Sequence, residues 1–139
     1  MQEIDDELEN LRMKKAESLL NQQKKMPETI IEIHSEEEFN KLLNEYPDKT
    51  IIIDFWAVWC GPCMFFGPIF KKLQGEFQKD FIFIKVNVDE NGAIAMKYSI
   101  TGIPTTLFIK NNEVINQVVG AMNYEGMKQV LTKLKQSES

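Results

Sequence analysis

Apolar residues change their spacing several times along this chain, and each change marks an element. Ile4, Leu8 and Leu11 recur at helical steps and Leu19 and Leu20 extend that face, which predicts a helix from about residue 3 to 24. Asp5, Asp6 and Glu7 near its start, and Lys14, Lys15, Lys24 and Lys25 towards its end, suit the helix dipole. Beyond Pro27 the pattern shortens, and residues 29–33 read as a strand. Ser35-Glu36-Glu37-Glu38 is a capping box, and the helix it opens carries Phe39, Leu42 and Leu43 before stopping near Pro47. Residues 50–57 are an apolar run of strand length. Phe66, Phe70, Leu73 and Phe77 then step by four, three and four, so a helix is expected over 60–78, with Pro68 inside it. Residues 81–88 alternate like a strand, and Asp89 is a candidate cap for a short helix over 90–98. Strands at 105–110 and 114–119 flank Asn111-Asn112, a hairpin signal because Asn tolerates positive φ. A last helix is expected from about Asn123 to Lys135, followed by a polar tail.

The order β-α-β-α-β-α-β-β-α predicts an α/β architecture with helices flanking a central mixed sheet of five strands. The strands at 50–57 and 81–88, joined through a helix, should be parallel, and the closing hairpin antiparallel. Three segments follow: an N-terminal helical extension over 1–28, a globular domain over 29–136, and a tail at 137–139.

The densest chemistry is Trp59-Cys60-Gly61-Pro62-Cys63, which holds the only two cysteines of the 139 residues. The first lies where a strand gives way to a helix. Free amides and the macrodipole at a helix N-terminus favour a thiolate, the nucleophile of disulfide exchange. A second cysteine one turn away can resolve the mixed disulfide. A zinc or cluster site normally needs four ligands, and His34 is the single histidine, so no metal is expected. A purely structural bridge closing so short a loop would stabilise little.

Composition narrows the classes. A formal charge of −5 without a basic stripe argues against nucleic-acid binding. No apolar run approaches the length of a membrane span. Met1-Gln2-Glu3-Ile4-Asp5-Asp6-Glu7 is acidic where a secretory signal is basic and then apolar, so a cytoplasmic location is expected.

Several further stretches accompany the cysteine motif: Asp54-Phe55-Trp56-Ala57, Pro68, Lys85-Val86-Asn87-Val88-Asp89, Gly102-Ile103-Pro104-Thr105 and Val119-Gly120-Ala121. In this order, residues 29–136 resemble a thioredoxin. The resemblance implies the thioredoxin fold, with Cys60 as attacking nucleophile and Cys63 as resolving thiol. It implies a buried Asp54 that transfers protons, with Lys85 as its neighbour. An Asp between Ile53 and Phe55 supports burial independently. Lys85 by its position alone reads equally as a solvent-facing residue. The resemblance also implies a cis bond before Pro104, and a flat, mostly apolar substrate surface from Trp59, Gly61, Pro62, Ile103, Pro104, Gly120 and Ala121. Gly120 is expected to permit close approach, having no Cβ. Met64 and Val58 depart from the family, standing where many relatives carry lysine and several carry a charged residue.

The activity so implied is that of a dithiol reductant of protein disulfides. It uses no cofactor beyond its redox disulfide and is recharged by a thioredoxin reductase-type donor. The alternatives are a disulfide oxidase or isomerase, against which the Gly-Pro dipeptide speaks, and a non-catalytic protein-binding module.

Overall fold

The computed structural model describes residues 7–13 and 25–138. The elements in order are β1 (Ile31–Ile33), α1 (Glu36–Glu45), β2 (Ile51–Trp56), α2 (Gly61–Phe77), β3 (Ile82–Asn87), α3 (Gly92–Lys97), β4 (Thr105–Lys110), β5 (Glu113–Val119) and α4 (Tyr124–Glu138). Residues 7–13 are helical and exposed, within the expected N-terminal helix; the rest of that helix lies outside the described residues.

The five strands form one sheet in the order β1-β3-β2-β4-β5. β1 and β2 run parallel to β3, while β4 is antiparallel to both β2 and β5. The mixed sheet predicted from the connections is therefore present, with β2 at its centre. Position within the sheet explains the β2 sequence. A strand covered on both faces has no solvent side, so it reads as a continuous apolar run rather than an alternation. Ile51 through Phe55 are all buried.

The two faces of β2 feed two cores. Ile51, Ile53 and Phe55 pack with Phe39, Leu42 and Leu43 of α1 and Ile94 of α3. Ile52 faces the opposite way, into a cluster of Phe66, Phe70, Leu73 and Phe77 from α2 and Met127 and Leu131 from α4. Side chains alternate along a strand, so Asp54 shares the face of Ile52 and points towards the α2 side. Phe70 meets Phe83 of β3 edge-on, with ring centroids 5.4 Å apart.

Local signals were read well where the partner lies nearby in sequence. Ser35 caps α1, its side chain accepting from the Glu38 amide at 3.1 Å, while Glu38 returns to accept from the His34 amide at 2.8 Å. Asn111 and Asn112 take φ of 54° and 63°, as the hairpin requires. Asn123 accepts from the Gly126 amide at the start of α4.

Two expectations need correction. Asp89 caps no helix: α3 begins at Gly92 with Asn91 before it, and the Asp89 carboxylate is taken by the indole of Trp59 instead. The last helix does not stop at Lys135 but continues to Glu138. The extra turn is held from far away, because Glu138 accepts from the Thr50 hydroxyl and pairs with Lys110 at 3.6 Å.

The Ser35 cap gives a direct check on α1. Ser35→Ala should lower the stability of the protein by about 1 kcal/mol, read as a shift of the urea midpoint at unchanged slope. An unmoved midpoint would mean that the cap is not formed in solution.

Candidate functional site

The site forms where the central strand leaves the sheet. β2 ends at Trp56, a tight turn follows, and Cys60 becomes the N-cap of α2. Pro62 sits in the first turn, where its missing N–H removes no helical bond. Cys60 and Cys63 are joined as a disulfide, with Cα atoms 5.2 Å apart. The Cys63 amide points at Cys60 Sγ from 3.2 Å, as a cap donor would. This contact carries the chemistry: the same geometry offers an N–H to a negative sulfur once the bond is reduced. Cys60 and Cys63 are both nearly covered, packed with Ala57 against Trp56, Val88 and Ile103.

The loop before β4 closes over the sulfurs. The Ile103–Pro104 bond is cis, as the resemblance implied, and the Ile103 carbonyl oxygen lies 3.7 Å from Cys60 Sγ. The Gly120 amide donates to the Pro104 carbonyl at 2.8 Å, which brings the end of β5 beside this loop. Trp59, Gly61 and Pro62 are exposed, Ile103, Gly120 and Ala121 half-buried, and Pro104 buried. The structure corrects the reason given for Gly120. A Cβ built there would meet nothing within 4 Å, but its φ is +100°, which a larger residue adopts only with strain. Conformation, not close approach, explains the glycine here.

Asp54 lies in β2, fully buried, and neither carboxylate oxygen has a hydrogen-bond partner among the described residues. An ion so placed has lost its hydration without replacement, which strongly favours the neutral acid. Burial accordingly pushes the Asp54 carboxyl from its ordinary 3.8 up to about 7, and the positive charge of Lys85 opposes the shift. Lys85 is the register partner of Asp54 across β2 and β3, half-buried, and its ammonium sits 4.4 Å from the centroid of the Trp56 ring. Lys85 therefore sits in register with Asp54 and against the indole, and its half-buried side chain remains partly open to solvent. A groove of about 1150 Å³ runs alongside, lined in part by Trp56, Cys63, Met64, Lys85 and His34. It gives this side of the motif an open approach from solvent.

Sequence reasoning missed two contributors. One is the Trp59–Asp89 hydrogen bond, 2.8 Å long, which holds an exposed indole beside Cys60. The other is Trp56, whose ring faces the Lys85 ammonium. In the sequence Trp56 is only one member of a motif, and its partner sits on a different strand. Among the described residues, no group of three His, Cys, Asp or Glu side chains is placed to hold a metal ion. None of the described helices is long and apolar enough to cross a membrane.

Known proteins with this arrangement are numerous. The family model for thioredoxin matches residues 30–133. A thioredoxin of Chlorobaculum thiosulfatiphilum is 49% identical over 75 residues, which cover 54% of this chain and 69% of that protein. Thioredoxin-1 of Caenorhabditis elegans is 39% identical over 94 residues, covering 68% of this chain and 81% of its own. Among solved structures, the thioredoxin of Malassezia sympodialis superposes with a TM-score of 0.71 at 34% identity, covering 81% of this chain and 96% of its own. The reduced thioredoxin pre-protein of Schistosoma mansoni gives 0.69 at 37% identity, over 76% and 97% of the two chains. With the family model spanning most of the chain, and with the cysteine pair joined at the head of α2, this protein belongs to the thioredoxin family and is a thiol-disulfide oxidoreductase.

Proposed function

We propose that the protein reduces disulfides in other proteins, with Cys60 as nucleophile, Cys63 as resolving thiol and Asp54 as the proton-transfer group. The observation that carries this reading is the Cys60 sulfur at the N-terminus of α2, facing the Cys63 amide at 3.2 Å. In the reduced protein the Cys60 thiolate attacks one sulfur of a target disulfide. A bond forms between Cys60 and that sulfur, and the other target sulfur leaves and takes up a proton. Cys63 then loses its proton to Asp54 and attacks Cys60 Sγ. The Cys60–Cys63 bond forms, the bond to the target breaks, and the second target sulfur leaves, taking from Asp54 the proton that Cys63 gave up. Counting the proton Cys60 released on ionising, the protein has given up two electrons and two protons, and a reductase-type donor restores them.

The environment of Asp54 suits that task. A proton acceptor works best when its pKa lies near the operating pH, and burial places this carboxyl at about 7. Lys85 keeps the ionised form accessible by opposing the effect of burial. The Ile103 carbonyl beside Cys60 supports a further assignment: an extended target segment pairs with the backbone of the cis-proline loop, as a strand adds to a sheet edge. Trp59, Gly61, Pro62, Gly120 and Ala121 complete the surface under that segment, and Pro104, buried beneath it, shapes the loop. The reaction cycle needs no cofactor besides the disulfide. Residues 29–136 form the catalytic domain in this reading.

The division of labour between the cysteines has a direct test. Cys63→Ser should accumulate target proteins covalently attached to Cys60, released by dithiothreitol and identified by mass spectrometry. Cys60→Ser should trap none. Recovery of equal adducts from both variants would contradict the assigned roles.

Asp54→Asn tests the buried acid. An acid whose folded pKa is raised stays protonated in the folded protein while it ionises in the unfolded chain. Between pH 3.8 and about 7, therefore, stability falls as pH rises, and above that window it levels off. Asn removes this penalty. The variant should be more stable at pH 8 by an amount of up to roughly 4 kcal/mol, with the gain vanishing near pH 4, yet it should resolve mixed disulfides more slowly. An unchanged or lowered urea midpoint at pH 8 would count against a buried, uncompensated Asp54.

A further inference from the structure

The reactive disulfide is ringed by large apolar side chains that the fold does not use. Val58 and Trp59 precede Cys60 and are 68% and 69% exposed, while Met64 and Phe65 follow Cys63 and are 48% and 61% exposed. Phe66 and Phe70, three and seven positions beyond Cys63, are by contrast buried in the core. Exposure of these four is thus confined to the turn and first helical turn around the sulfurs. Successive helical residues point about 100° apart. Met64 borders the groove beside Lys85, whereas Phe65 is not among the residues lining it and faces another flank.

Ionisable side chains other than the two thiols are missing from this stretch. From residue 55 to residue 70 the chain carries no Asp, Glu, Lys, Arg or His, and the charged groups placed at the motif come from other elements: Asp89, bonded to the Trp59 indole, and Lys85, which lines the groove with Met64. Any target sulfur that reaches Cys60 must bring its neighbouring residues over these side chains. There a charged neighbour would lose hydration over Val58, Met64 and Phe65, whereas an apolar neighbour would remove apolar surface from water on both partners.

We propose that Val58, Met64 and Phe65 make this protein selective for disulfides whose cysteines are flanked by apolar residues. The inference rests on the exchange chemistry proposed above and adds its substrate class. Trp59, held by Asp89, supplies the fixed part of the same platform.

Three synthetic peptides test it, each closed by one intramolecular disulfide and differing only in Leu, Glu or Lys beside each cysteine. Second-order rate constants for reduction by the reduced full-length protein are divided by those for dithiothreitol, which has no surface and reports intrinsic reactivity. The leucine peptide should react about tenfold faster than either charged one, with little change between low and high salt. Replacing Val58, Met64 and Phe65 together by Gln keeps the net charge and should bring the three normalised rates to within about twofold. Those side chains are exposed, so the variant should keep its thermal midpoint, which is measured alongside. Equal normalised rates in the unmodified protein would overturn the selectivity. So would a preference for the lysine peptide, which would show steering by the net charge of −5 instead. If the reduced protein exchanges with none of the peptides, the reductase reading itself fails, a distinct outcome.

Discussion

Everything in this molecule hangs on the burial of β2. The strand lies between β3 and β4 with a core on each face, so it is held on all sides and dry from Ile51 to Phe55. Rigidity fixes where the chain emerges, and that places Cys60 as the cap of α2 rather than on a free loop. Dryness acts on the one ionisable group the strand contains. Asp54 is covered from solvent and has no hydrogen-bond partner among the described residues, and its pKa rises towards neutral pH as a consequence. The constraint that builds the core thus also tunes the group proposed as proton acceptor.

The two halves of the site answer different needs. Below the disulfide, Asp54 and Lys85 form a buried acid with a nearby positive charge, set in register by adjacent strands. Above it lie the Ile103 carbonyl and a rim of exposed apolar side chains. Neither half resembles an enclosed pocket. An open, largely apolar rim fits the proposed protein substrates better than small polar molecules, which need several converging polar groups for recognition.

Much of this was legible in the sequence, and the failures have a common cause. The strands of the sheet were visible as β-branched and aromatic runs, and the Asn111-Asn112 turn from the conformational tolerance of its residues. The buried Asp54 announced itself by lying inside an apolar run. Asp89 was misread because a local rule assigned it to the next helix, whereas an indole 30 residues earlier in the chain claims it. The end of α4 was set too early because its anchor, Thr50, is 88 positions away in sequence. Gly120 was recognised as necessary, but only the backbone angle shows why. Periodicity and turn chemistry report on neighbours along the chain; side chains that meet across the fold leave no such trace.

The direction of electron flow is fixed by the reduction potential of the Cys60–Cys63 pair. It can be measured by equilibrating the protein in dithiothreitol redox buffers at pH 7 and quantifying the thiol and disulfide forms. A reductant should lie near the value of about −270 mV known for thioredoxin itself. A potential about 100 mV higher, in the range of disulfide isomerases and oxidants, would contradict the assignment.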